Sequence, residues 1–553
     1  MSAAASIGVA APSAERLRAL DWRFLLPAPA GGAFEHLVLL GGTPVAVRDA
    51  IDSGVALHAT CEAPRTERAD VVVCLRSAVG RLDDALRSLR PGGMLYVETG
   101  RDVNRAFRPA AVRRMLRQSG LSETGLYWCR PDDAHRDAYV PLDHAGALRW
   151  YLATVHGTSS SRAALGRAAL HVLARSPETL STLVASCAVT AVAGPGGFAT
   201  PPSILGVGLR RDEGSARARP VVLTPRTRRV VMFPFAPGAE RPLAALKVSR
   251  TPSRNEVTAN EQRVLARLHE RLDALTAESI PRPLGSADWG GLTVGAETVV
   301  AGRSLFAAVR ASRTPTSDHV RAFRGVAEWL TDFHCRTVTS RPRWGSRADA
   351  SSMQGVVTNY ERCCVATGAE RVLFAEILRR SNELSDVPFP IVWAHADFTS
   401  RNVAWSGSSV AVFDWAGGRE GLPLVDLLTF AASWMRDVRS DRDELAPFTA
   451  LLLGPDDQLT LAVRAAVAEY VAALSIDARF VPVLMVRLWC ELAAYTSSKE
   501  REARTAVEPA APRNVYARYV RTIADNGDRF LRRWAPDAVA AAERSTARER
   551  VGV

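Results

Sequence analysis

The chain has 553 residues, of which 47% are hydrophobic and 23% charged, and it carries a formal net charge of +12. This length exceeds what one hydrophobic core usually serves, so we expect two or three domains in a chain of ordinary globular composition. The positive charge is spread along the chain without a long block of like charges or a nucleic-acid-binding motif. We therefore expect no nucleic-acid partner.

The N-terminal extension, residues 1–33, and the cysteines predict a cytoplasmic protein. The first residues lack the charged start and compact apolar core of a signal peptide. None of the 8 cysteines forms a CxxC pair, so neither a zinc site nor a redox motif is predicted. The most apolar segment, residues 179–194, is too short to cross a membrane and ends at a Gly-Pro-Gly-Gly run, so we expect a buried helix there and no membrane partner.

Residues 34–140 show the pattern of an α/β domain. Four short apolar runs are each punctuated by glycine or polar residues, at 36–42, 55–62, 69–77 and 92–100. Such runs are typical of parallel strands buried on both faces of a sheet. Residues 141–203 are predicted to be a helical connector and linker, with the main domain boundary at the Gly- and Pro-rich segment 193–203.

The pattern changes after residue 204. Apolar runs between residues 219 and 249 are joined by turns that contain proline or glycine, which predicts an antiparallel sheet. Residues 255–275 follow as an amphipathic helix, and residues 296–305 as a further strand and turn. Beyond residue 318 the chain is predicted to be mostly helical.

The stretch "HADFTSRN" contains a spacing that is typical of kinase catalytic loops. His395, Asp397 and Asn402 reproduce the offsets of that loop, and Asp414 in "FDWAGG" stands where the second kinase aspartate would stand. Phosphoryl transfer requires a carboxylate near the attacking hydroxyl and oxygen ligands for Mg²⁺. These residues therefore indicate a phosphotransferase site.

The residues around this stretch predict how the site is assembled. Residues 391–395 read as a strand that enters the loop, and residues 403–415 read as a hairpin with Gly407 in its turn. A hairpin of this length would return Asp414 to the side of the loop residues.

The scarcity of lysine in the chain independently supports a phosphotransferase site. Among 70 Lys and Arg residues, only Lys247 and Lys499 are lysine. A kinase needs a strand lysine that holds the phosphates and a helix glutamate that holds the lysine. Lys247 lies on a predicted strand, and Glu261 on the following helix is its expected partner, with Glu256 as the alternative.

Residues of about 204–535 resemble the aminoglycoside phosphotransferase and choline kinase family, through "HADFTSRNV" and "VFDWAGGREGLPLVDLLTF". The resemblance implies a bilobal, protein-kinase-like fold. Its small antiparallel N-lobe would span residues 204–305 and its mainly helical C-lobe residues 306–535, followed by a tail at 536–553. It implies ATP and Mg²⁺ as cofactors.

The same resemblance implies roles for individual residues. Asp397 would be the catalytic base with His395 as a second catalytic residue, and Asn402 and Asp414 would hold Mg²⁺. Asp426, in "GLPLVDLLTF", would have a structural role in the C-lobe.

The resemblance also implies nucleotide contacts, because "ETVVAGRSL" is similar to the N-lobe segment that leads into the family's nucleotide hinge. The backbone around Val299 and Val300 would hydrogen-bond adenine. No Gly-rich loop precedes Lys247, so the loop "TPRTR" at 224–228 is expected to cover the phosphates, with Thr224 and Thr227 as contacts. A further departure from the family is Ala396, where glycine is usual.

The N-terminal part resembles a degenerate class I SAM-dependent methyltransferase with a Rossmann-like parallel sheet. Glu62 falls 20 residues after Gly42, where a ribose-binding acid would sit. The glycine fingerprint is reduced to Gly41 and Gly42, and a βα unit is missing. SAM is therefore not expected as a cofactor, and a scaffolding or substrate-presenting role is favoured.

Together these features predict an ATP- and Mg²⁺-dependent phosphotransferase that acts on a hydroxyl group of a small molecule. One alternative is a catalytically weak nucleotide-binding or scaffold protein, that is, a pseudokinase. Another is a SAM-dependent methyltransferase whose kinase-like part is regulatory. The sequence itself names neither the acceptor nor an oligomeric state.

Overall fold

The structure is a computed structural model, and it describes residues 14–27, 32–64, 68–131, 136–154, 177–194, 218–225, 229–309, 315–346, 352–439, 443, 445–503 and 514–535. The chain divides into two compact units. The first comprises residues 1–266 and 281–299, and the second comprises residues 267–280 and 300–553. The protein is of the mixed α/β type, with a large mixed sheet and many helices.

The first unit is built on a 12-stranded sheet. Its strands are β1 Phe34–Leu40, β2 Ala56–Thr60, β3 Ala69–Cys74, β4 Leu89–Gly100, β5 Leu121–Arg130, β6 Ala138–Pro141, β7 Ser186–Ala193, β8 Arg219–Leu223, β9 Arg229–Phe235, β10 Ala245–Ser249, β11 Pro283–Trp289 and β12 Leu292–Glu297. Their order across the sheet is β11-β12-β10-β9-β8-β6-β5-β7-β4-β3-β1-β2.

Seven described helices begin in the first unit. They are α1 Ala14–Arg18, α2 Pro44–Asp52, α3 Leu82–Ser88, α4 Pro109–Gln118, α5 Ala145–Thr154, α6 Pro177–Leu183 and α7 Asn255–Arg271. The predicted amphipathic helix after residue 255 is thus confirmed as α7. Short 3-10 turns complete the unit at Asp21–Leu25, Arg76–Arg81, Arg105–Phe107 and Pro252–Arg254.

The four strands predicted at the start of this unit are confirmed as β1 to β4. They pair in parallel in the order β2-β1-β3-β4. Alternate residues of β1 enter two different hydrophobic clusters, Leu37 and Leu39 in one and Val38 and Leu40 in the other. Successive side chains of a strand point to opposite faces, so this sheet is covered on both sides, which explains its nearly unbroken apolar runs.

The helix predicted over residues 179–194 is wrong for most of that segment. Helix α6 ends at Leu183, and Ser186–Ala193 forms β7, which lies between β4 and β5 and runs antiparallel to both. A short apolar run that is buried on every side has no distinguishing period, so pattern alone does not separate a helix from a central strand. The expected helical connector at 141–203 therefore contributes a strand to the middle of the sheet.

The antiparallel strands predicted between residues 219 and 249 are confirmed as β8, β9 and β10. Strand β8 also pairs with β6, through Ala138 with Leu223 and Tyr139 with Val222. The strands on both sides of the expected boundary at 193–203 thus belong to one sheet. Most of that boundary segment lies outside the described residues.

The second unit is mainly helical, as predicted. Its described helices are α8 Ala274–Ala277, α9 Leu305–Val309, α10 Thr316–Arg336, α11 Met353–Cys363, α12 Gly368–Glu383, α13 Val425–Arg439, α14 Leu445–Leu453, α15 Gln458–Ala473, α16 Phe480–Ala503, α17 Val515–Asp525 and α18 Gly527–Arg533. Short strands form two small sheets, β13 Arg303–Ser304 with β15 Val403–Trp405 and β16 Val410–Val412, and β14 Val392–Ala394 with β17 Arg419–Gly421. Further 3-10 turns lie at Trp344–Ser346 and Trp415–Gly417. Among the helices that the structure describes, none is long and apolar enough to cross a membrane.

Candidate active site

The candidate catalytic loop of the second unit joins β14 to the hairpin of β15 and β16. Both the strand and the hairpin were predicted and are confirmed, and Gly407 takes a positive φ of 96° in the turn. Glycine adopts this left-handed conformation without steric cost, which permits the tight return of the chain. The loop residues and Asp414 are thereby brought to one end of the hairpin.

Asn402 is fixed against Asp397 by its own side chain. Its Nδ2 donates to the backbone oxygen of Asp397 at 2.8 Å and to Asp397 Oδ2 at 3.1 Å. Because the amide nitrogen is used in this way, the amide oxygen Oδ1 is turned to the other side. Within the described part of the chain this oxygen accepts no hydrogen bond, so it can serve as a ligand for a hard cation.

His395 is fully buried and holds the loop together. Its Nε2 donates to the backbone oxygen of Phe413 at 2.9 Å, and its Nδ1 accepts from the backbone N–H of Asp397 at 3.3 Å. One ring nitrogen therefore bonds to the backbone of Asp397 and the other to the backbone of Phe413, the residue before Asp414. This geometry makes His395 a positioning residue, because its ring has no nitrogen left for a substrate.

Asp426 anchors the start of the same loop from helix α13. It is buried and accepts hydrogen bonds from the backbone N–H groups of His395, at 2.6 Å, and Ala396, at 2.9 Å. These two bonds hold Ala396 in a left-handed conformation with φ of 63°. The structural role predicted for Asp426 is thus to hold the loop backbone through two hydrogen bonds. Glycine, which is usual at this position in the family that the chain resembles, would adopt the φ of Ala396 without strain.

A buried chain of polar groups continues from Asp426 into the helices. His334 Nε2 lies 3.5 Å from Asp426 Oδ2, and His334 Nδ1 lies 2.6 Å from the hydroxyl of Tyr470, which also accepts from the N–H of Leu424 at 3.0 Å. Burial alone would raise the pKa of Asp426, but the nearby His334 and His395 and the hydrogen bond from the backbone N–H of His395 outweigh burial, and the pKa is lowered. Asp426 is therefore an ionised anchor at neutral pH.

The pKa of Asp397 moves in the opposite direction. Partial desolvation by the surrounding protein raises it, His395 and the hydrogen bond from Asn402 lower it, and the negative charge of Asp414 raises it again. The net result is a raised pKa on a side chain that remains accessible to solvent. Such a carboxylate is a better proton acceptor than an ordinary surface aspartate.

The oxygen donors present fit Mg²⁺ bound together with a phosphate ligand. Asn402 supplies a neutral oxygen, and Asp414 supplies a charged one from a residue with φ of 68°. In the described residues no group of three or more His, Cys, Asp or Glu side chains is arranged to hold a metal ion. Mg²⁺ in phosphoryl-transfer sites is usually held by one or two protein ligands, water and phosphate oxygens, so a site with few protein ligands is expected.

The first unit contains the predicted lysine pair. Lys247 on β10 is buried and forms an ion pair with Glu261 on α7. The competing candidate, Glu256, is exposed and pairs with Arg263, which identifies Glu261 as the partner of the lysine. Glu261 also binds a second cation, since Arg229 Nη1 lies 2.6 Å from its Oε2.

Glu297 is a second acidic partner of Lys247 that the sequence pattern does not predict, although it lies in a predicted strand. Its Oε1 is 2.8 Å from Lys247 Nζ, and the side chain is buried at the end of β12, a strand hydrogen-bonded to β10. The ammonium of Lys247 is thus held by two carboxylates. The available signal was a lone acidic residue at the end of the apolar run "LTVGAE".

The other residues predicted to contact the nucleotide have different surroundings. Thr224 is buried, and its hydroxyl donates to the backbone oxygen of Arg136 at 3.2 Å, so this side chain is used inside the sheet. Thr227 lies outside the described residues. Val299 and Val300 follow β12 in an irregular, half-buried segment, and among the described residues their backbone groups make no hydrogen bond.

Residues 221–496 match the model of the phosphotransferase enzyme family. The predicted resemblance to this family is therefore confirmed for that part of the chain, which carries both Lys247 and the Asp397 loop. No curated protein matches the chain. The methyltransferase resemblance of the N-terminal part stays a prediction.

Several solved structures are similar to the chain at low identity. A choline/ethanolamine kinase family protein from Mesorhizobium loti is 13% identical, with 57% of this chain and 90% of that chain covered and a TM-score of 0.31. An aminoglycoside phosphotransferase from Streptomyces rimosus is 17% identical, covering 51% and 95%, with a TM-score of 0.31. An amicoumacin kinase in complex with AMP-PNP and Ca²⁺ is 12% identical, covering 54% and 86%, with a TM-score of 0.35. Similarity at this level identifies neither an activity nor a substrate.

Proposed function

We propose that this protein is an ATP- and Mg²⁺-dependent phosphotransferase that transfers a phosphoryl group to a hydroxyl of a small molecule. The observation that carries the proposal is the arrangement of Asp397, Asn402 and Asp414 at one end of a hairpin. A raised pKa on Asp397, a free amide oxygen on Asn402 and a second carboxylate suit one chemistry, phosphoryl transfer. The family match of residues 221–496 supports it.

In this proposal Asp397 orients the acceptor hydroxyl and takes its proton. The hydroxyl oxygen then bonds to the γ-phosphorus while the bond from that phosphorus to the leaving ADP breaks. Asn402 and Asp414 hold Mg²⁺, which when bound neutralises charge on the phosphate oxygens. His395 and Asp426 keep these groups in position without contacting the substrate.

Lys247 is assigned to the α- and β-phosphates of ATP. Glu261 and Glu297 keep its ammonium in place on β10 and exclude other positions for the side chain. Val299 and Val300 are assigned to the adenine ring, because their backbone groups are available for hydrogen bonds. Thr227 is retained as a proposed phosphate contact, whereas the hydroxyl of Thr224 is engaged within the sheet.

For the N-terminal part we propose a degenerate, Rossmann-like scaffold without a SAM-dependent reaction. The four parallel strands support the Rossmann-like arrangement. The loop after β1 packs closely against the turn Arg76–Arg81 that follows β3, where an added Cβ on Gly41 would collide with the hydroxyl of Ser77. Glu62, the expected ribose ligand, is an exposed side chain just beyond β2.

The proposed activity is tested by product formation. Wild-type protein, ATP and Mg²⁺ are incubated with a panel of hydroxylated small molecules, and phosphorylated product is detected by mass spectrometry. We expect Asp397→Asn to lower the rate by about 10²–10⁴-fold, the usual contribution of a positioned base. Asp332→Asn, at a site that is 53% exposed, is the matched control and should keep full activity.

Two results would contradict the proposal. The first is wild-type protein that neither consumes ATP nor forms product with any acceptor, which would favour a nucleotide-binding or scaffold protein. The second is full activity in Asp397→Asn, which would remove the proposed base from the reaction.

A further inference from the structure

The C-terminal half of α13, in the second unit, lies directly against the loop that carries Asp397. The hydroxyl of Ser400, three residues after Asp397, donates to the carboxylate of Asp437, and the backbone N–H of Ser400 donates to Ser433 Oγ at 3.4 Å. Ser433 and Asp437 are one helical turn apart, so they lie on one face of α13 and hold it against the loop. Arg436 lies at the border of that face.

The guanidinium group of Arg436 has hydrogen-bonding capacity that the protein does not use. The side chain is 45% exposed, and its nearest carboxylate among the described residues is that of Asp437, with Oδ1 4.0 Å from Nε. This distance is too long for a hydrogen bond, and Arg436 makes no hydrogen bond through its side chain to any residue that the structure describes. A guanidinium fork of this kind binds a carboxylate or phosphate through two parallel hydrogen bonds.

Tyr516, at the start of α17, carries a second unused polar group. Its ring stacks on the buried ring of Trp489 from α16, with centroids 6.2 Å apart and planes inclined by 11°. This stacking limits the orientation of the phenol. Within the described ranges its hydroxyl makes no hydrogen bond, and it keeps contact with solvent.

Helix α17 lies close to the C-terminal end of α13. Arg518 Nη2 on α17 is 3.7 Å from Oδ1 of Asp443, which follows α13 in the chain. The charges of this region also act on Tyr516: burial raises its pKa, Arg436 lowers it, and the negative charge of Asp397 raises it. Such interactions weaken with distance and with exposure to water, so Tyr516 lies near both charged groups.

We propose that Arg436 and Tyr516 select an acceptor that carries an anionic group, a carboxylate or a phosphate, in addition to its reacting hydroxyl. The inference rests on the proposed phosphotransferase function, because it takes Asp397 as the base that receives the hydroxyl proton. Arg436 would bind the anionic group through its guanidinium fork, and the hydroxyl of Tyr516 would donate to one of its oxygens. A cationic acceptor would be repelled by the same guanidinium group.

The test uses hydroxylated acceptors that differ mainly in charge. Glucuronate, glucose and glucosamine supply an anionic, a neutral and a cationic member at neutral pH, and glucose 6-phosphate supplies the phosphate form of the anion. The same sorting by charge is applied to the rest of the acceptor panel. We expect the highest kcat/KM for anionic members, and comparison of the carboxylate with the phosphate member shows which anion is preferred.

Variants of the two residues should change acceptor binding and leave the transfer step intact. Arg436→Met should raise KM for anionic acceptors by about 10–100-fold with little change in kcat, and Arg436→Lys, which keeps the charge, should restore part of the loss. Tyr516→Phe, which removes only the hydroxyl, should raise KM by about 3–10-fold. Arg521→Met on α17, at a position that is 44% exposed, is the matched control and should keep the wild-type KM.

The inference is overturned if neutral or cationic acceptors reach the kcat/KM of the anionic ones. A KM of Arg436→Met within about twofold of the wild type for anionic acceptors would overturn it as well. If no acceptor is phosphorylated, the proposed function fails, and binding then decides the inference separately. In that case glucuronate or glucose 6-phosphate should bind wild-type protein in the presence of AMP-PNP and Mg²⁺, measured by saturation-transfer NMR, and should not bind Arg436→Met; absence of binding to the wild type overturns the inference.

Discussion

Substitution of Asp426 tests whether a buried carboxylate holds the catalytic loop. In Asp426→Ala the backbone N–H groups of His395 and Ala396 lose their acceptor inside the protein. Each buried donor left unsatisfied costs about 1–3 kcal/mol, so the free energy of unfolding should fall by about 2–6 kcal/mol. Asp426→Asn keeps one acceptor oxygen, and about half of that loss is expected.

The effect should also depend on pH. The pKa of Asp426 is lowered in the folded state, so its ionisation stabilises the fold at neutral pH. This contribution is present above the ordinary pKa of an aspartate, about 4, and is lost as the pH falls through the lower folded-state value. The difference between wild type and Asp426→Asn should therefore be constant from pH 5 to 8 and narrow only in acid.

Urea unfolding followed by tryptophan fluorescence gives the free energy, and amide hydrogen exchange of a peptide covering residues 391–398 gives a local readout. Asp386→Asn, at a position that is 85% exposed, serves as the control for loss of a charge. If Asp426→Ala has a free energy of unfolding within about 0.5 kcal/mol of this control and its loop amides exchange at the wild-type rate, Asp426 does not hold the loop.

Three further predictions concern the loop residues of the second unit and the lysine pair of the first unit. Ala396→Gly should raise the free energy of unfolding in urea by about 0.5–1 kcal/mol. The strain that glycine relieves at a left-handed φ of 63° is larger than the destabilisation caused by the added freedom of the unfolded chain. Ala394→Gly in β14, where no such strain exists, is the control and should lower the free energy of unfolding. Glu261→Gln should lower the free energy of unfolding by about 3–5 kcal/mol in the same assay, because Lys247 and Arg229 lose the carboxylate that they share. The exposed control Glu256→Gln should change the free energy of unfolding by less than about 0.5 kcal/mol. Asp397→Asn should stabilise the protein at pH 7, because the pKa of Asp397 is raised in the folded state and its ionisation therefore opposes folding. The difference in the free energy of unfolding between this variant and the wild type should shrink as the pH of the urea titration is lowered towards 4.5. A difference that grows in acid would contradict the raised pKa.

The features that the sequence predicts well are local ones. The loop "HADFTSRN", its incoming strand and the hairpin with Gly407 lie within one short stretch, so spacing and turn chemistry determine them. The pairing of Lys247 with Glu261 joins a strand to the next helix along the chain, and residue type was enough to suggest it.

The features that the sequence does not predict depend on distant partners. Tyr470 reaches His334 across 136 positions of the chain, and no local pattern marks that hydrogen bond. Strand β7 is apolar on both faces, so its sequence lacks the alternation of apolar and polar residues that marks a strand. Strand β6 has only 4 residues, which is too short a pattern to predict its pairing with β8. Glu297 was visible as a lone acid, but its contact with Lys247 requires the sheet register.

We propose that this protein binds ATP together with Mg²⁺ through Asn402 and Asp414, and calorimetric titration measures that binding. ATP is titrated into wild-type protein and into Asp414→Ala, each with and without Mg²⁺. We predict binding by the wild type that is strengthened by Mg²⁺, and loss of that Mg²⁺ dependence in Asp414→Ala. Absence of ATP binding by the wild type in the presence of Mg²⁺ would contradict the account.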